Sequence, residues 1–211
     1  MNTRPIIFST PMIKAILLGQ KTQTRRIVKQ PYQHFPLVTK HYTTNEFDFH
    51  HDQGIGLFTR CPYGDPGDYL WVRETWQPGP FPQQPFNYKA SCPFPEKTQW
   101  KPSIHMPKKA CRILLALRGI KIERLQDIPE EDAKREGVYY YGSDDPTQDD
   151  YKNYLYDDKG NCDPWGVQTA KESFSTLWES IHGKNSWGIN PWVWVLEFQP
   201  IIPKPLKSQA L

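Results

Sequence analysis

The chain lacks any long hydrophobic run. No stretch approaches the roughly 20 consecutive apolar residues that a membrane helix needs. Its start, Met-Asn-Thr-Arg-Pro, also lacks the apolar core of a secretory signal peptide. We therefore expect a soluble cytoplasmic protein that makes no contact with a membrane.

Cysteine is scarce, and its positions are not paired along the chain. The four cysteines are Cys61, Cys92, Cys111 and Cys162, and no Cys-x-x-Cys occurs. Structural zinc sites usually take their ligands in such close pairs. We predict free thiols, no metal ion and no other cofactor. The alternative, a zinc site built from the first three cysteines and His105, lacks the paired spacing.

A regular βαβ alternation and internal repeats are also missing. Eight tryptophans supply large core side chains, which excludes a chain that is disordered throughout. The 21 prolines exclude a helical bundle, because proline interrupts helices and favours stiff connections. We predict an α+β fold, with a small mixed β-barrel flanked by short helices and long loop insertions.

Hydrophobic periodicity and capping residues predict a set of short elements. They are strands at 4–9, 69–76 and 191–198, two strand stretches within 111–126 broken at Gly119, and helices at 10–18, 129–136 and 169–182. Thr169 and Glu172 match a capping box at the start of the longest helix. We predict a decorated loop with a hairpin at 30–66, coil with a short strand near Tyr88 at 77–103, and a mobile acidic insertion at 139–166.

Acidic residues are absent before Glu46, whereas seven basic residues precede it. Up to residue 126 the chain has 18 basic and 8 acidic residues, and beyond it 8 basic and 15 acidic residues. Such a separation predicts a basic face that attracts phosphate. In the alternative, the two halves interleave in space and their charges cancel. Charge alone leaves both possibilities open.

A dense polar run follows the first predicted helix, and its sequence is Gly-Gln-Lys-Thr-Gln-Thr-Arg-Arg over residues 19–26. With Pro-Gly-Asp at 66–68, Trp-Val-Arg-Glu-Thr at 71–75, Leu-Gln-Asp-Ile-Pro at 125–129 and the strand at 190–198, it resembles the ASCH family of phages and prophages. The resemblance implies a PUA-like β-barrel in a single domain over 1–200. It also implies insertions near 30–60, 78–102 and 139–166, and we expect a disordered tail over 201–211.

Some compact ASCH proteins are metal-independent amidohydrolases that remove the acetyl group of N4-acetylcytidine with a Lys, a Thr and a Glu. The resemblance places these roles on Lys21, Thr24 and Glu136. Thr24 would attack the acetyl carbon, and Lys21 would take its proton if the pKa of the amine falls well below about 10.4. Glu136 would carry a proton to the exocyclic nitrogen, and Glu74 is the alternative for this role.

The two arginines of the same run, Arg25 and Arg26, are suited to hold a phosphate or a developing oxyanion. The structural alternative for the whole run is a solvated turn after a helix, where cations favour the C-terminal end of the dipole. For Glu130, Glu131 and Asp132 we predict the solvated first turn of the short acidic helix.

Further contacts to a base, sugar or phosphate are predicted outside this run. Trp76 and Trp187 lie next to loops and are candidates for stacking on a base. Arg73 and Glu74 share a strand end with Trp76. The resemblance places His105 in a loop that approaches the pocket; the alternative is a half-buried structural histidine.

These residues are compatible with functions of different classes. One is an enzyme that hydrolyses the amide of a modified nucleobase or nucleoside. Another is a non-catalytic module that binds RNA or single-stranded nucleic acid, and a third is a ribonuclease. In each case we expect a small or single-stranded ligand rather than duplex DNA. The sequence predicts no oligomeric state.

Overall fold

A computed structural model describes residues 2–29, 31–41, 45–51, 56–93, 99–142, 151–155 and 166–202. The chain forms two compact units that interleave along the sequence. The first unit comprises Met1–Gly19, Pro62–Arg118 and Phe198–Leu211, and the second comprises Gln20–Cys61 and Gly119–Glu197. From residue 203 onward, the predicted disordered tail lies outside the described residues, as does most of the predicted acidic insertion.

Strands dominate the described part of the chain. They are β1 Thr3–Ile7, β2 Gln23–Ile27, β3 Leu37–Lys40, β4 Glu46–His50, β5 Leu57–Arg60, β6 Tyr69–Arg73, β7 Trp76–Phe81, β8 Gln84–Tyr88, β9 Leu114–Arg124 and β10 Trp192–Ile201. The α-helices are α1 Thr10–Leu17, α2 Glu130–Arg135 and α3 Ala170–His182.

In the first unit, three strands pair with one another beside helix α1. Strand β1 is parallel to β6, and β6 is antiparallel to the first part of β9. Helix α1, which we predicted over 10–18, follows Ser9, has Pro11 in its first turn and buries Ile13 and Ile16. These apolar side chains lie on one helix face because they recur at helical spacing.

A hairpin of β7 and β8 occupies a stretch for which we predicted coil with one short strand. Trp76 at the start of β7 is buried, and its ring packs edge-on against Phe86 of β8 at 5.7 Å. The register shifts between Pro78 and Phe81. Proline is tolerated in such a ribbon because each strand has one free edge, and the same prolines obscured the strand pattern in the sequence.

In the second unit, β2 is antiparallel to β10, and β3, β4 and β5 form a separate antiparallel sheet. The sequence predicted a loop with a hairpin for this sheet. Phe47 and Phe49 of β4 are buried, and their rings pack edge-on against Trp194 and Trp192 of β10. These aromatic contacts anchor the three-stranded sheet to the core of its unit.

Helix α3 begins with the predicted capping box. The Thr169 hydroxyl accepts the Glu172 backbone N–H, and the Glu172 carboxylate accepts the Thr169 backbone N–H. Glu130 of α2 accepts the backbone N–H groups of Ala170 and Lys171 at 2.6 and 3.0 Å. The carboxylate therefore caps α3 and fixes it against α2.

Strand β9 is continuous through Gly119, where the sequence predicted a break. A Cβ atom on this residue would lie 2.7 Å from the Oε2 atom of Glu197. The glycine therefore makes room for the neighbouring side chain of β10 and does not end the strand.

The fold is a mixed α/β arrangement of many strands and few helices, in agreement with the general class that we predicted. The strand pairings of the described residues do not close a barrel, so the PUA-like barrel remains a prediction. No helix in the described ranges is long and apolar enough to cross a membrane.

Candidate active site

The polar run at 19–26 leads into a buried strand of the second unit. Gly19 has a φ of 74° and ends α1 in the left-handed region. Strand β2 then begins at Gln23, and the side chains of Lys21, Thr24 and Arg25 are 0, 1 and 2% exposed. The alternative of a solvated turn is therefore wrong for these residues.

Lys21 and Glu136 form a buried ion pair. The Lys21 Nζ atom donates to the Glu136 Oε2 atom and to the Glu136 backbone carbonyl, at 2.7 Å in each case. Glu136 caps the C-terminal end of α2, and the Thr22 N–H donates to the adjacent Arg135 carbonyl at 2.9 Å. The residues before β2 therefore satisfy carbonyls that the last turn of α2 leaves unpaired.

Arg25 binds three carboxylates of the same unit. Its guanidinium contacts Glu136 Oε1 at 2.9 Å, Glu123 Oε1 at 2.6 and 2.9 Å, and Asp132 Oδ2 at 3.3 Å. The Phe174 ring lies 5.8 Å from the guanidinium carbon. Arg25 of β2 therefore contacts residues of β9, α2 and α3. Glu136 accepts hydrogen bonds from both Arg25 and Lys21 and so links these two side chains.

Two further residues complete the buried charge cluster. Lys121 on β9 contacts Glu123 at 3.0 Å and Asp132 at 3.1 Å. The Gln23 amide donates to Asp132 and to Glu197, at 3.2 Å in each case. Oppositely charged partners offset the penalty of removing Arg25 and Asp132 from water, whereas the Lys121 side chain is 45% exposed at the edge of the cluster.

The charges shift the pKa values of several members of this cluster. Burial lowers the pKa of the Lys21 amine. The Glu136 carboxylate raises this pKa, whereas the positive charges of Arg26 and Arg25 lower it further. Burial alone would lower the pKa of Arg25, but the Glu136 and Glu123 carboxylates outweigh it and raise that pKa. The lowered pKa of Lys21 favours a neutral amine, which is the form that can accept a proton.

Thr24 lies on β2 with its backbone opposite Leu196 of β10. Because side chains alternate along a strand, Thr24 and Arg26 share the face of β2 opposite to Gln23 and Arg25. The hydrogen bonds of 2.7 Å from the Lys21 amine to Glu136 do not involve Thr24. The structure thus brings Lys21 and Glu136 together and leaves the role of Thr24 a prediction.

The sequence did not identify Gln23, Lys121 or Glu123 as members of this cluster. Asp132 was predicted to be solvated, but its side chain is buried between Lys121, Arg25 and Gln23. The prediction for Asp132 was wrong because it considered only the position of the residue in its own helix. The alternation of polar and apolar residues along β9 was the available signal for Lys121 and Glu123.

Four predicted contact residues belong to the first unit. The Glu74 carboxylate is buried and accepts two hydrogen bonds of 2.8 Å from Arg112. Trp76 is covered by Phe86, and Lys101 lies 5.4 Å from its ring. Arg73 lies half-buried with its guanidinium 5.5 Å from the Trp71 ring, and His105 is exposed in a short 3-10 helix.

The remaining predicted contacts belong to the second unit. The Arg26 side chain is half-buried, and its Nη1 atom donates to the Arg25 carbonyl at 3.3 Å. The Trp187 ring is half-buried and meets the Phe174 ring edge-on at 6.1 Å. Trp187 therefore borders the part of helix α3 whose Phe174 ring packs near Arg25.

The cysteines of the described ranges are free thiols, as predicted: Cys61, Cys92 and Cys111. Cys162 lies outside the described residues. No group of three or more His, Cys, Asp or Glu side chains with the spacing of a metal site occurs in the described part of the chain.

Comparisons with protein-family models, with curated proteins and with solved structures found no match for this chain.

Proposed function

We propose that the chain is an ASCH-type protein with a PUA-like fold that hydrolyses an N-acylated nucleobase or nucleoside, such as N4-acetylcytidine. The observation that carries this proposal is the buried contact of 2.7 Å between the Lys21 amine and the Glu136 carboxylate. The resemblance assigned catalysis to these two residues, which lie 115 positions apart in the sequence.

A buried Lys–Glu pair of this kind suits the transfer of protons to and from an amide. The lowered pKa of Lys21 increases the fraction of neutral amine at a given pH. A neutral amine can take the proton of a hydroxyl nucleophile, as in Ser–Lys hydrolases. Glu136 is within hydrogen-bond distance of that amine and can relay the proton onward.

The proposed reaction consumes one water molecule and releases acetate and the free base. The Thr24 oxygen bonds to the acetyl carbonyl carbon while its proton passes to Lys21, a step that requires Thr24 to leave the face of β2 opposite to Arg25 and to turn towards the Lys21 amine. The carbon–nitrogen bond then breaks, and the proton travels through Glu136 to the departing exocyclic nitrogen. Water hydrolyses the acetyl ester on Thr24 and restores the hydroxyl.

Arg25 is a positioning residue in this scheme. Its contacts with Glu136, Glu123 and Asp132 fix the orientation of the Glu136 carboxylate. Lys21 is fully covered, so a substrate can reach its amine only when the residues above it move aside. A covered site of this kind also excludes bulk water from the reacting amide.

The test is hydrolysis of N4-acetylcytidine and related N-acylated bases by the purified protein, followed as release of the free base. We expect turnover by the wild type, loss of at least about 100-fold in Thr24→Ala, and recovery in Thr24→Ser. Activity retained in Thr24→Ala would assign the attack to water. No turnover of any acylated base would contradict the proposed function.

Binding of RNA or single-stranded nucleic acid is the other proposal that the sequence raised. Arg25 does not support this proposal as a phosphate-binding residue, because its guanidinium is buried and already donates to three carboxylates. Salt-sensitive RNA binding without hydrolysis of acylated nucleosides would favour the binding module. RNA cleavage that persists through purification would favour a ribonuclease.

A further inference from the structure

A pocket lies in the second unit, apart from the Lys21 charge cluster. It is bounded by the end of β2, the end of α3 and the segment that precedes β10. Its volume is about 350 Å³, and its lining includes Ile27, Arg124, Trp178, His182, Ser186 and Ile189. This volume falls within the usual range for sites of small ligands. None of the residues that line it belongs to the Lys21 charge cluster.

Two side chains of this pocket carry buried polar atoms with no hydrogen-bond partner in the structure. They are the Trp178 Nε1 atom and the Ser186 Oγ atom. Trp178 is 3% exposed, so solvent does not satisfy its indole N–H. An unpaired buried donor is costly, and most buried polar groups in proteins are paired. Because Trp178 lines the pocket, its indole N–H is a donor that a ligand oxygen can satisfy.

The chemistry of the wall selects the kind of partner. An indole N–H and a guanidinium can only donate hydrogen bonds, and a hydroxyl can donate as well. The Trp178 and Ser186 donors therefore favour an oxygen acceptor on the ligand. Arg124 contributes positive charge only, because its Nη1 and Nη2 atoms already donate to the Asn190 and Phe35 carbonyls. No Asp or Glu occurs among the described residues that line it.

The apolar part of the wall includes two exposed isoleucines. The Trp178 and His182 rings lie 4.1 Å apart with an interplanar angle of 32°, so they pack on each other and form a rigid side of the pocket. Ile27 and Ile189 are 42 and 75% exposed, which leaves apolar surface that a bound ring would cover.

We propose that this pocket binds a small aromatic ring carrying carbonyl or carboxylate oxygens, with one oxygen accepting from Trp178 Nε1 and Ser186 Oγ. The ring lies against Ile27 and Ile189. Pyrimidine nucleosides and aromatic carboxylates share this chemistry. The proposal does not depend on hydrolysis by Lys21 and Glu136.

The test follows the tryptophan indole N–H signals of the full-length protein by nitrogen-15 NMR. The chain has eight tryptophans, and Trp178→Phe identifies the Trp178 signal by its loss. Uridine and benzoate are titrated separately to distinguish the two ligand sources, with cyclohexanecarboxylate as the non-aromatic control. We expect a saturable shift of the Trp178 signal with at least one aromatic probe and a weaker effect of the control.

Ser186→Ala tests the assigned hydrogen bond without removing the indole. We expect its affinity for the active probe to fall about tenfold, which corresponds to the loss of one hydrogen bond. Ser175→Ala is the matched control, because the Ser175 hydroxyl donates to the Glu172 carbonyl elsewhere on α3. Lys21→Ala should bind the probe unchanged, which separates this proposal from the proposed hydrolysis. No shift with either aromatic probe, or equal affinity of Ser186→Ala and the wild type, would overturn it.

Discussion

Lys21 is a buried amine whose surroundings act on its pKa in opposite directions. Burial lowers the pKa, the Glu136 carboxylate raises it, and Arg26 and Arg25 lower it further. The net direction is downward, so the neutral amine becomes available below the usual titration range of lysine. This is the property that the proposed hydrolysis requires of Lys21.

Glu136→Gln should lower the pKa of Lys21 further. The substitution removes the negative charge that favours the protonated amine, while burial and the two arginines remain. The pKa can be measured directly from the pH dependence of the Lys21 side-chain carbon signals in NMR. Glu131→Gln is the control, because Glu131 is exposed on the same helix and pairs with Lys134. An unchanged or raised pKa in Glu136→Gln would contradict the electrostatic account.

Asp132→Asn should reduce the free energy of unfolding at neutral pH by about 2 kcal/mol, because it removes charged hydrogen bonds to the buried Arg25 guanidinium and to the half-exposed Lys121 amine. Burial would raise the pKa of Asp132, but Lys121 and Arg25 lower it below 3.8. Its stabilising effect is therefore complete above about pH 3.8 and is lost as the pH falls through the lower folded-state pKa.

Chemical denaturation of Asp132→Asn and wild type across the acidic range tests this prediction. The difference in unfolding free energy should be constant at neutral pH and shrink at low pH. Glu131→Gln should change stability by less than about 0.5 kcal/mol, because its exposed pair with Lys134 contributes little. A constant difference down to pH 2 would show that Asp132 does not act through its charge.

At the scale of elements, the Glu130 carboxylate of α2 caps the first turn of α3. Glu130→Ala removes the acceptor of the Ala170 and Lys171 N–H groups and should lower the unfolding free energy by about 1 to 2 kcal/mol. Amide hydrogen exchange in the first turn of α3 should also accelerate. Glu131→Ala is the matched control on the adjacent residue, and equal effects of the two substitutions would contradict the capping role.

Elements with strong local signals could be predicted from the sequence. The capping box of α3 and Pro11 in α1 depend on residues a few positions apart, and the structure contains both. The hairpin of β7 and β8 was missed because its prolines interrupt the strand pattern. Gly119 was taken for a break because its close approach to Glu197 depends on a distant strand.

The candidate site was predictable only in part for the same reason. The family resemblance named Lys21 and Glu136, which the structure joins. The burial of Arg25 and Asp132 depends on how β2, β9 and α2 pack together, and no local pattern encodes that contact. Glu74, the alternative partner, instead pairs with Arg112 of its own unit.

At the scale of the whole molecule, the separation of charge along the sequence does not produce a separation of charge at the site. Basic residues from the first half, Lys21 and Arg25, pair with acidic residues from the second half, Asp132 and Glu136. The two halves interleave at this point, and their charges offset each other. This arrangement removes Arg25 from the set of residues that could bind phosphate.

We therefore expect the affinity for single-stranded RNA, if it binds, to fall only slightly as the salt concentration rises. Each phosphate contact contributes a slope of about −0.7 to the plot of log affinity against log salt for single strands. We predict a slope no steeper than about −2, corresponding to at most three contacts. Fluorescence anisotropy with a labelled RNA at several salt concentrations measures it. A slope steeper than about −4 would show an extended basic face and favour the binding module.

The most direct test of the central claim is the rate of N4-acetylcytidine hydrolysis in Lys21→Ala beside Lys134→Ala. Lys134 is an exposed lysine on α2 that pairs with Glu131, so its loss controls for removal of a charge from the same unit. Thermal unfolding of both variants confirms that they are folded. We expect Lys21→Ala to lose at least about 100-fold in kcat/KM while Lys134→Ala matches the wild type. Full activity in a folded Lys21→Ala variant would contradict it.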